Sequence, residues 1–213
     1  RRSSLSSNDD YAGLYAGGAV GALALSAGAD YTRHHADTTR HVAIADAGGS
    51  LYSRAAAHTR EFYGNASYRI AVNDSIIEPF AQAAYVKLAT DSFKERDGAM
   101  ALAVRSSQRA VVYTTLGTRA ATHFVFQGDD FNAHASAGWR HVSGDLRARS
   151  SLAFADTGAF AVYGLPIARN ALALSAGVDV QVNRSVKLGI SYDAQIASHA
   201  TDAALRAQLS WRF

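Results

Sequence analysis

The chain has 213 residues, 48% of them apolar and 18% charged, with a formal net charge of +3 and no cysteine. That charged share is below the roughly 25% usual in soluble domains. The basic residues are scattered and nearly balanced by acids, which argues against nucleic-acid binding. The missing cysteines exclude a disulfide framework and a thiolate metal site, and no run of about 18 apolar residues offers a membrane helix.

In chain order, Arg1-Arg2 ahead of the Gly/Ala/Leu-rich run at 11–29 superficially suggests a signal peptide. Three features oppose that reading. The chain has no initiator Met, Asp9-Asp10 stands where a positive flank belongs, and the run has a strand period. Leu23, Leu25, Ala27, Ala29 and Tyr31 alternate with Ala24, Ser26, Gly28, Asp30 and Thr32. A first strand before them is expected to turn at Gly17-Gly18. His34, His35 and His41 follow in what reads as the start of a long connection at 37–51. Zinc needs three or four ligands in fixed geometry, so these read as solvated loop histidines.

Phe62, Ala66, Tyr68 and Ile70 then alternate with Glu61, Asn65, Ser67 and Arg69, ahead of a turn at Asn73-Asp74-Ser75. Residues 77–88 form a strand whose faces are ambiguous, and 91–108 a second long connection. Val112, Thr114, Leu116, Phe124 and Phe126 oppose Tyr113, Gly117, Arg119 and His123, with a turn expected at Gly128-Asp129-Asp130. Phe131, Ala133, Ala135, Ala137 and Trp139 oppose Asn132, His134, Ser136, Gly138 and Arg140. The third long connection, 146–170, contains an apolar stretch at 160–167. It either folds over a barrel mouth or continues the strands above the membrane.

Leu172, Leu174, Ala176, Val178 and Val180 alternate with Ala173, Ser175, Gly177, Asp179 and Gln181. After Asn183-Arg184-Ser185, Val186, Leu188, Ile190 and Tyr192 alternate with Lys187, Gly189, Ser191 and Asp193. The last segment is the cleanest, with Leu205, Ala207, Leu209, Trp211 and Phe213 on one face and Arg206, Gln208, Ser210 and Arg212 on the other. Alternate side chains of a strand point to opposite faces. The pattern therefore reads as an all-β, antiparallel, up-and-down transmembrane barrel of about nine strands, many longer than the roughly ten residues that cross a bilayer.

Short turns on one rim and long loops on the other are a property of outer-membrane barrels. The apolar face suits lipid, and Tyr31, Tyr68, Trp139 and Tyr192 sit near strand ends as an aromatic girdle would. Asp30, Glu61, Arg119, Arg140, Asp179, Asp193 and Arg206 are expected to line a watery lumen, where they escape the cost of dry burial. They read equally as a hydrated channel lining or as ion pairs bracing the wall.

Several stretches together resemble the C-terminal β-barrel translocator domain of autotransporters, the type V secretion proteins. They include Tyr11-Ala12-Gly13-Leu14-Tyr15-Ala16-Gly17, Gly28-Ala29-Asp30-Tyr31-Thr32-Arg33, Glu78-Pro79-Phe80-Ala81 and Leu116-Gly117-Thr118-Arg119. Gly138-Trp139-Arg140-His141, Gly164-Leu165-Pro166-Ile167-Ala168-Arg169 and Leu209-Ser210-Trp211-Arg212-Phe213 continue the series. The resemblance covers nearly the whole chain. It implies a twelve-stranded barrel, a helix threading its lumen, and an N-terminal passenger exported to the cell surface. The first strand here looks like the family's fourth, so the single domain at 1–213 reads as N-terminally incomplete.

The resemblance further implies that the final strand is read by the barrel-assembly machinery, with Leu205, Leu209, Trp211 and Phe213 as the signal. Expected partners are outer-membrane lipid, that machinery and the chain's own passenger; nucleic acid is not among them, and no cofactor is expected. The location implied is the outer membrane of a Gram-negative bacterium. The functional expectation is a non-enzymatic translocator, with a small pore or structural barrel as the alternative. Self-cleavage by luminal carboxylates maps to no residue.

Overall fold

The computed structural model describes residues 3–42, 49–98, 100–155, 157–183, 185–198 and 200–211. They form β1 (Ser3–Val20), β2 (Leu23–Val42), β3 (Gly49–Tyr68), β4 (Ile70–Val72), β5 (Ser75–Thr90), β6 (Phe93–Lys94) and β7 (Leu102–Val104). Next come β8 (Ser107–Phe126), β9 (Asp129–Gly144), β10 (Arg147–Phe154), β11 (Phe160–Pro166), β12 (Asn170–Gln181), β13 (Val186–Ala197) and β14 (Ala200–Trp211). The main sheet is an antiparallel meander in the order β1-β2-β3-β5-β8-β9-β12-β13-β14, with β4 beside β5. It curls into a half-barrel. Among the described residues β1 and β14 each pair on one side only.

The short turns follow from backbone geometry. Val20 pairs with Leu23 across Gly21-Ala22, and Gly21 has a φ of +60°. A two-residue hairpin loop with positive φ at its first central residue favours glycine there. The turn therefore lies beyond the expected Gly17-Gly18, which is inside β1. The turn expected at Gly128-Asp129-Asp130 is also displaced. Gln127 and Gly128 both have positive φ, 52° and 92°, as a type I′ turn requires, and Asp129 opens β9.

Pro79 explains a break in the sheet. The β3–β5 ladder runs as far as Ser67 opposite Phe80 and resumes in β4 with Ile70 opposite Ile77. Pro79 falls in the gap and has no N–H to donate. The backbone N–H of Arg69 turns the other way and donates to the Ala22 carbonyl at 2.8 Å.

The long connections are more ordered than the sequence suggests. β2 continues through Val42 and β3 resumes at Gly49, so His34, His35 and His41 are strand residues rather than loop residues. A second, four-stranded sheet has the order β11-β10-β7-β6. This repeats the order β12-β9-β8-β5 of the main sheet, so four adjacent strands carry on past the rim. The stretch at 160–167 contains β11, hydrogen-bonded to β10. β11 is the outer edge of this sheet and ends at Pro166, an edge being where a strand tolerates proline.

A step between the sheets falls at the end of β9. Gly144 has a φ of +100°, and a Cβ there would come within 2.5 Å of the Ala110 carbonyl oxygen. The neighbouring Asp145 and Ala110 exchange hydrogen bonds. The Asp145 N–H donates to the Ala110 carbonyl at 2.8 Å, and the Ala110 N–H donates to the Asp145 carboxylate at 2.9 Å.

Leu51, Ala101, Val111 and Val142 are buried, close to where the two sheets meet. Large apolar side chains elsewhere are exposed, Leu14 at 72%, Leu25 at 53%, Leu205 at 71% and Trp211 at 73%. A soluble monomer does not carry so continuous an apolar surface.

Candidate functional site

Directly paired residues of antiparallel strands share a face, so the register assigns every side chain to one side of the sheet. Asp30 is opposite Glu61. Arg119 is opposite Glu78 and Ser136, Ser136 is opposite Ser175, and Ser175 is opposite Asp193. Arg140 pairs with Thr115, Asp179 with Asn132, and Arg206 with Ser191. Asp30, Glu61, Arg119, Arg140, Asp179, Asp193 and Arg206 therefore lie on one face. Tyr31, Tyr68, Trp139, Tyr192, Leu205, Leu209 and Trp211 lie on the other; Phe213 is outside the described residues. The ambiguity at 77–88 resolves the same way, with Glu78, Gln82 and Val86 on the Asp30 face.

The polar face is the concave one, because its side chains reach past adjacent strands. The Arg140 guanidinium on β9 donates to Gln195 on β13 at 2.8 Å, across β12. Arg119 on β8 reaches Asn65 on β3 at 3.5 Å, across β5. Only inward curvature brings next-nearest strands so close.

Most charges on this face are partnered. Arg119 sits 3.2 Å from Glu78 and 4.5 Å over the Phe80 ring. Lys187 is 3.2 Å from Asp179, and Arg206 bonds Asp193. Asp30 accepts the Tyr11 hydroxyl at 2.8 Å. The acids Asp30 and Glu61 share one rung on β2 and β3, while Arg119 and Arg140 stand on β8 and β9. Opposite charges thus stand side by side on most of the concave wall, while Asp30 and Glu61 form an acidic rung of their own.

Glycines let the larger interior rings lie flat against that wall. A Cβ on Gly28 would come within 2.4 Å of the Tyr63 ring, and one on Gly117 within 2.7 Å of Phe80.

Two arrangements on this face carried no sequence signal. Asp9, His34 and Thr59 come together, with Asp9 3.0 Å from His34 Nδ1 and Thr59 2.9 Å from His34 Nε2. They stand on three adjacent strands, far apart in sequence. The backbone donors of the central strand β2 are committed to the ladders with β1 and β3, so the arrangement braces these strands. The second is Arg40 on β2, which donates to both carboxylate oxygens of Glu95, one at 2.9 Å, and to the Met100 carbonyl at 3.0 Å. The Arg40 guanidinium holds the Glu95 carboxyl below the usual glutamate range, and the Leu102 N–H adds to that effect.

On the convex face Tyr31 stacks on His58 at 6.0 Å and Phe62 on Tyr85 at 6.5 Å. Phe124, Phe126 and Phe131 cluster near the short turns, the first and last of them 5.3 Å apart. The apolar/polar alternation contained these extra aromatics, but their grouping needed the register.

An antiparallel wall with an apolar aromatic-rimmed outside, a charged concave inside and long connections at one end is the wall of an outer-membrane β-barrel. The chain belongs to the autotransporter β-domain family, whose model matches residues 1–193. It is 33% identical over 208 residues to two extracellular serine proteases of Serratia marcescens, covering 97% of this chain and 20% of each of theirs. The chain thus spans about a fifth of the length of these relatives. Among solved structures it is similar to the translocator domain of the autotransporter NalP from Neisseria meningitidis, with a TM-score of 0.63 and 15% identity. That match covers 99% of this chain and 68% of the other, and at such identity it shows the fold alone. This chain is an outer-membrane β-barrel domain of Gram-negative type, and β-domains of this family are not catalytic.

Proposed function

We propose that this domain anchors its protein in the outer membrane and forms part of a conduit wall through which an N-terminal passenger reaches the cell surface. The observation that carries the reading is the sorting of charge. Asp30, Glu61, Arg119, Arg140, Asp179, Asp193 and Arg206 share the concave face, most of them partnered by neighbours rather than free. A wall of this kind stays hydrated and offers a passing extended chain few unpaired groups to stick to. Family membership supports the translocator role in general terms.

The outward aromatics Tyr31, Tyr68, Trp139 and Tyr192 would hold the wall at the lipid interfaces. Among the described residues β14 pairs on one side only, with Leu205, Leu209 and Trp211 in alternation, a form that strand addition can read. It is the proposed contact for the barrel-assembly machinery, together with Phe213.

The test uses the full-length protein in cells. Replacing Arg119 and Arg140 together by leucine puts apolar groups on the concave wall. Passenger at the cell surface is expected to fall several-fold while the barrel retains heat-modifiable mobility. Unchanged surface display with the barrel folded would sink the reading.

A further inference from the structure

We infer that the outer wall of β2, β3 and β5 carries a binding site for the phosphate of an outer-leaflet phosphorylated glycolipid, formed by Arg33, Arg60 and Lys87. The argument starts from where charge first appears on the convex face. Climbing from the short turns, the outward positions of β2 are Leu23, Leu25, Ala27, Ala29 and Tyr31, and then Arg33. On β3 they are Tyr68, Ala66, Gly64 and Phe62, and then Arg60. On β5 they are Pro79, Ala81, Ala83 and Tyr85, and then Lys87. Each strand thus ends an apolar run on an aromatic ring and places a cation immediately above it.

The three cations are neighbours. Tyr31, Arg60 and Lys87 form one rung across the three strands, and Arg33 stands on the next rung, opposite His58. Facing residues of this kind lie about 5 Å apart and diagonal ones about 7–8 Å. The Lys87 rung continues through Ala110 on β8 to Asp145 just past β9, and the outward residues near the upper ends of β9, β12 and β13 include His141, Asn170 and Ile196, so no Lys or Arg continues the patch. The cluster is a local feature of one sector.

Among the described residues the side chains of Arg33, Arg60 and Lys87 have no hydrogen bond and no ion pair. Asp10 faces Arg33 across β1 and β2, but nothing anionic faces Arg60 or Lys87. Like charges placed directly opposite on a sheet are unfavourable, and an anion between them reverses the sign. The same geometry on the concave face is handled differently, since Arg119 and Arg206 there have carboxylate partners.

Height selects the occupant. The cations sit above the apolar band and its aromatic rim, at the level of lipid headgroups. They lie toward the long-connection end, which in outer-membrane barrels faces the cell exterior. A ligand there needs an anionic head for the cations and acyl chains for Ala29, Phe62 and Tyr85 beneath them. A phosphate-bearing glycolipid has both, and basic pockets of this type bind anionic lipid heads.

The full-length protein, purified in detergent, is titrated by native mass spectrometry with a diphosphorylated glycolipid and with the same lipid after dephosphorylation. The expected result is about a tenfold preference for the phosphorylated form, weakened by added salt. The triple variant Arg33→Gln, Arg60→Gln, Lys87→Gln should lose the preference with heat-modifiable mobility intact, whereas Arg54→Gln should keep it. If the triple variant does not fold, the charge-retaining Arg33→Lys, Arg60→Lys variant and the salt dependence of the parent carry the test. Equal binding of the two lipids, absence of salt dependence, or a retained preference in the folded triple variant would overturn the proposal. Full displacement of the lipid by millimolar inorganic phosphate would overturn the lipid as occupant and leave a free-phosphate site.

Discussion

Arg40 on β2 and Glu95, between β6 and β7, join the two sheets through a forked ion pair whose carboxylate side is 8% exposed and whose guanidinium side is 33% exposed. Glu95 also accepts the Leu102 N–H at 2.9 Å. One side chain thus fastens the extension of β5 to the extension of β8 and to the wall of β2. Bidentate pairing of this type is among the stronger charge-assisted arrangements. Glu95→Gln keeps the shape and removes the charge, and is expected to cost about 1–2 kcal/mol locally, since partial exposure of Arg40 screens the pair. Hydrogen exchange should show faster opening of residues 93–104 with the rest of the wall unchanged. Uniform protection in the variant would refute a fastening role.

The same pair fixes the sign of an acid effect. The Glu95 carboxyl lies below its ordinary range because Arg40 bonds the charged form. The stabilisation is therefore fully present above the ordinary glutamate pKa of about 4.3 and is lost as pH falls through the lowered folded value. Arg40 is raised by the same bond and stays charged throughout. Protection in 93–104, corrected for the intrinsic exchange rate, should thus fall as pH drops through the lowered Glu95 range, and the fall should be absent in Glu95→Gln, which is loose at every pH. An acid response that survives in Glu95→Gln would place the titrating group elsewhere.

Gly144 is where β9 leaves the main sheet, at a φ of +100°. An alanine there meets the Ala110 carbonyl oxygen at 2.5 Å as well as an unfavourable backbone region. Gly144→Ala is expected to cost about 1–3 kcal/mol and to detach β10 from its alignment while leaving β8–β9 pairing below Val111 in place. Protease cleavage within 145–170 of the folded protein is the measurement, and an unchanged cleavage rate would count against the strain.

Within the membrane the fold was legible because lipid outside and polar groups inside impose a strict period of two. Leu25 and Asp30, or Leu188 and Asp193, could be given opposite faces with no structure at hand. Above the membrane that signal fades. Arg33, His34, His35, Asp37 and Arg40 put polar groups on both faces of β2, so nothing in the alternation says that the strand runs on to Val42. The second sheet stayed hidden for the same reason, with β6 and β7 too short to show a period. Gly17-Gly18 looked like a turn because glycine pairs usually punctuate, but backbone φ at Gly21 decides the hairpin. Arg40–Glu95 and Asp9–His34–Thr59 join positions far apart in the chain, and one sequence carries no record of such contacts.

Glu61 faces Asp30 on one rung, and the Tyr11 hydroxyl serves Asp30 alone. Two facing carboxylates repel by a few tenths of a kcal/mol or more. Glu61→Gln should therefore stabilise the folded barrel slightly, by about 0.5 kcal/mol. A residue that only lines the wall further predicts that passenger release from cells expressing Glu61→Gln matches the parent. Loss of release with normal surface display would instead make Glu61 a cleaving group and overturn that reading.

The final strand tests the proposed assembly contact. Leu205, Leu209 and Trp211 face outward on β14, at 71%, 66% and 73% exposure, and the far backbone edge of β14 has no partner among the described residues. Recognition by strand addition takes affinity from the backbone and specificity from alternate side chains. Removing one outward side chain should then slow insertion without weakening the finished wall. Deletion of Phe213, and separately Leu209→Ser, should delay the appearance of heat-modifiable barrel in pulse-labelled cells several-fold. The fraction eventually folded and its melting behaviour should stay close to the parent. Equal loss of rate and of final stability would mean that these side chains hold the wall together rather than address it, and normal kinetics in both variants would remove the assembly role altogether.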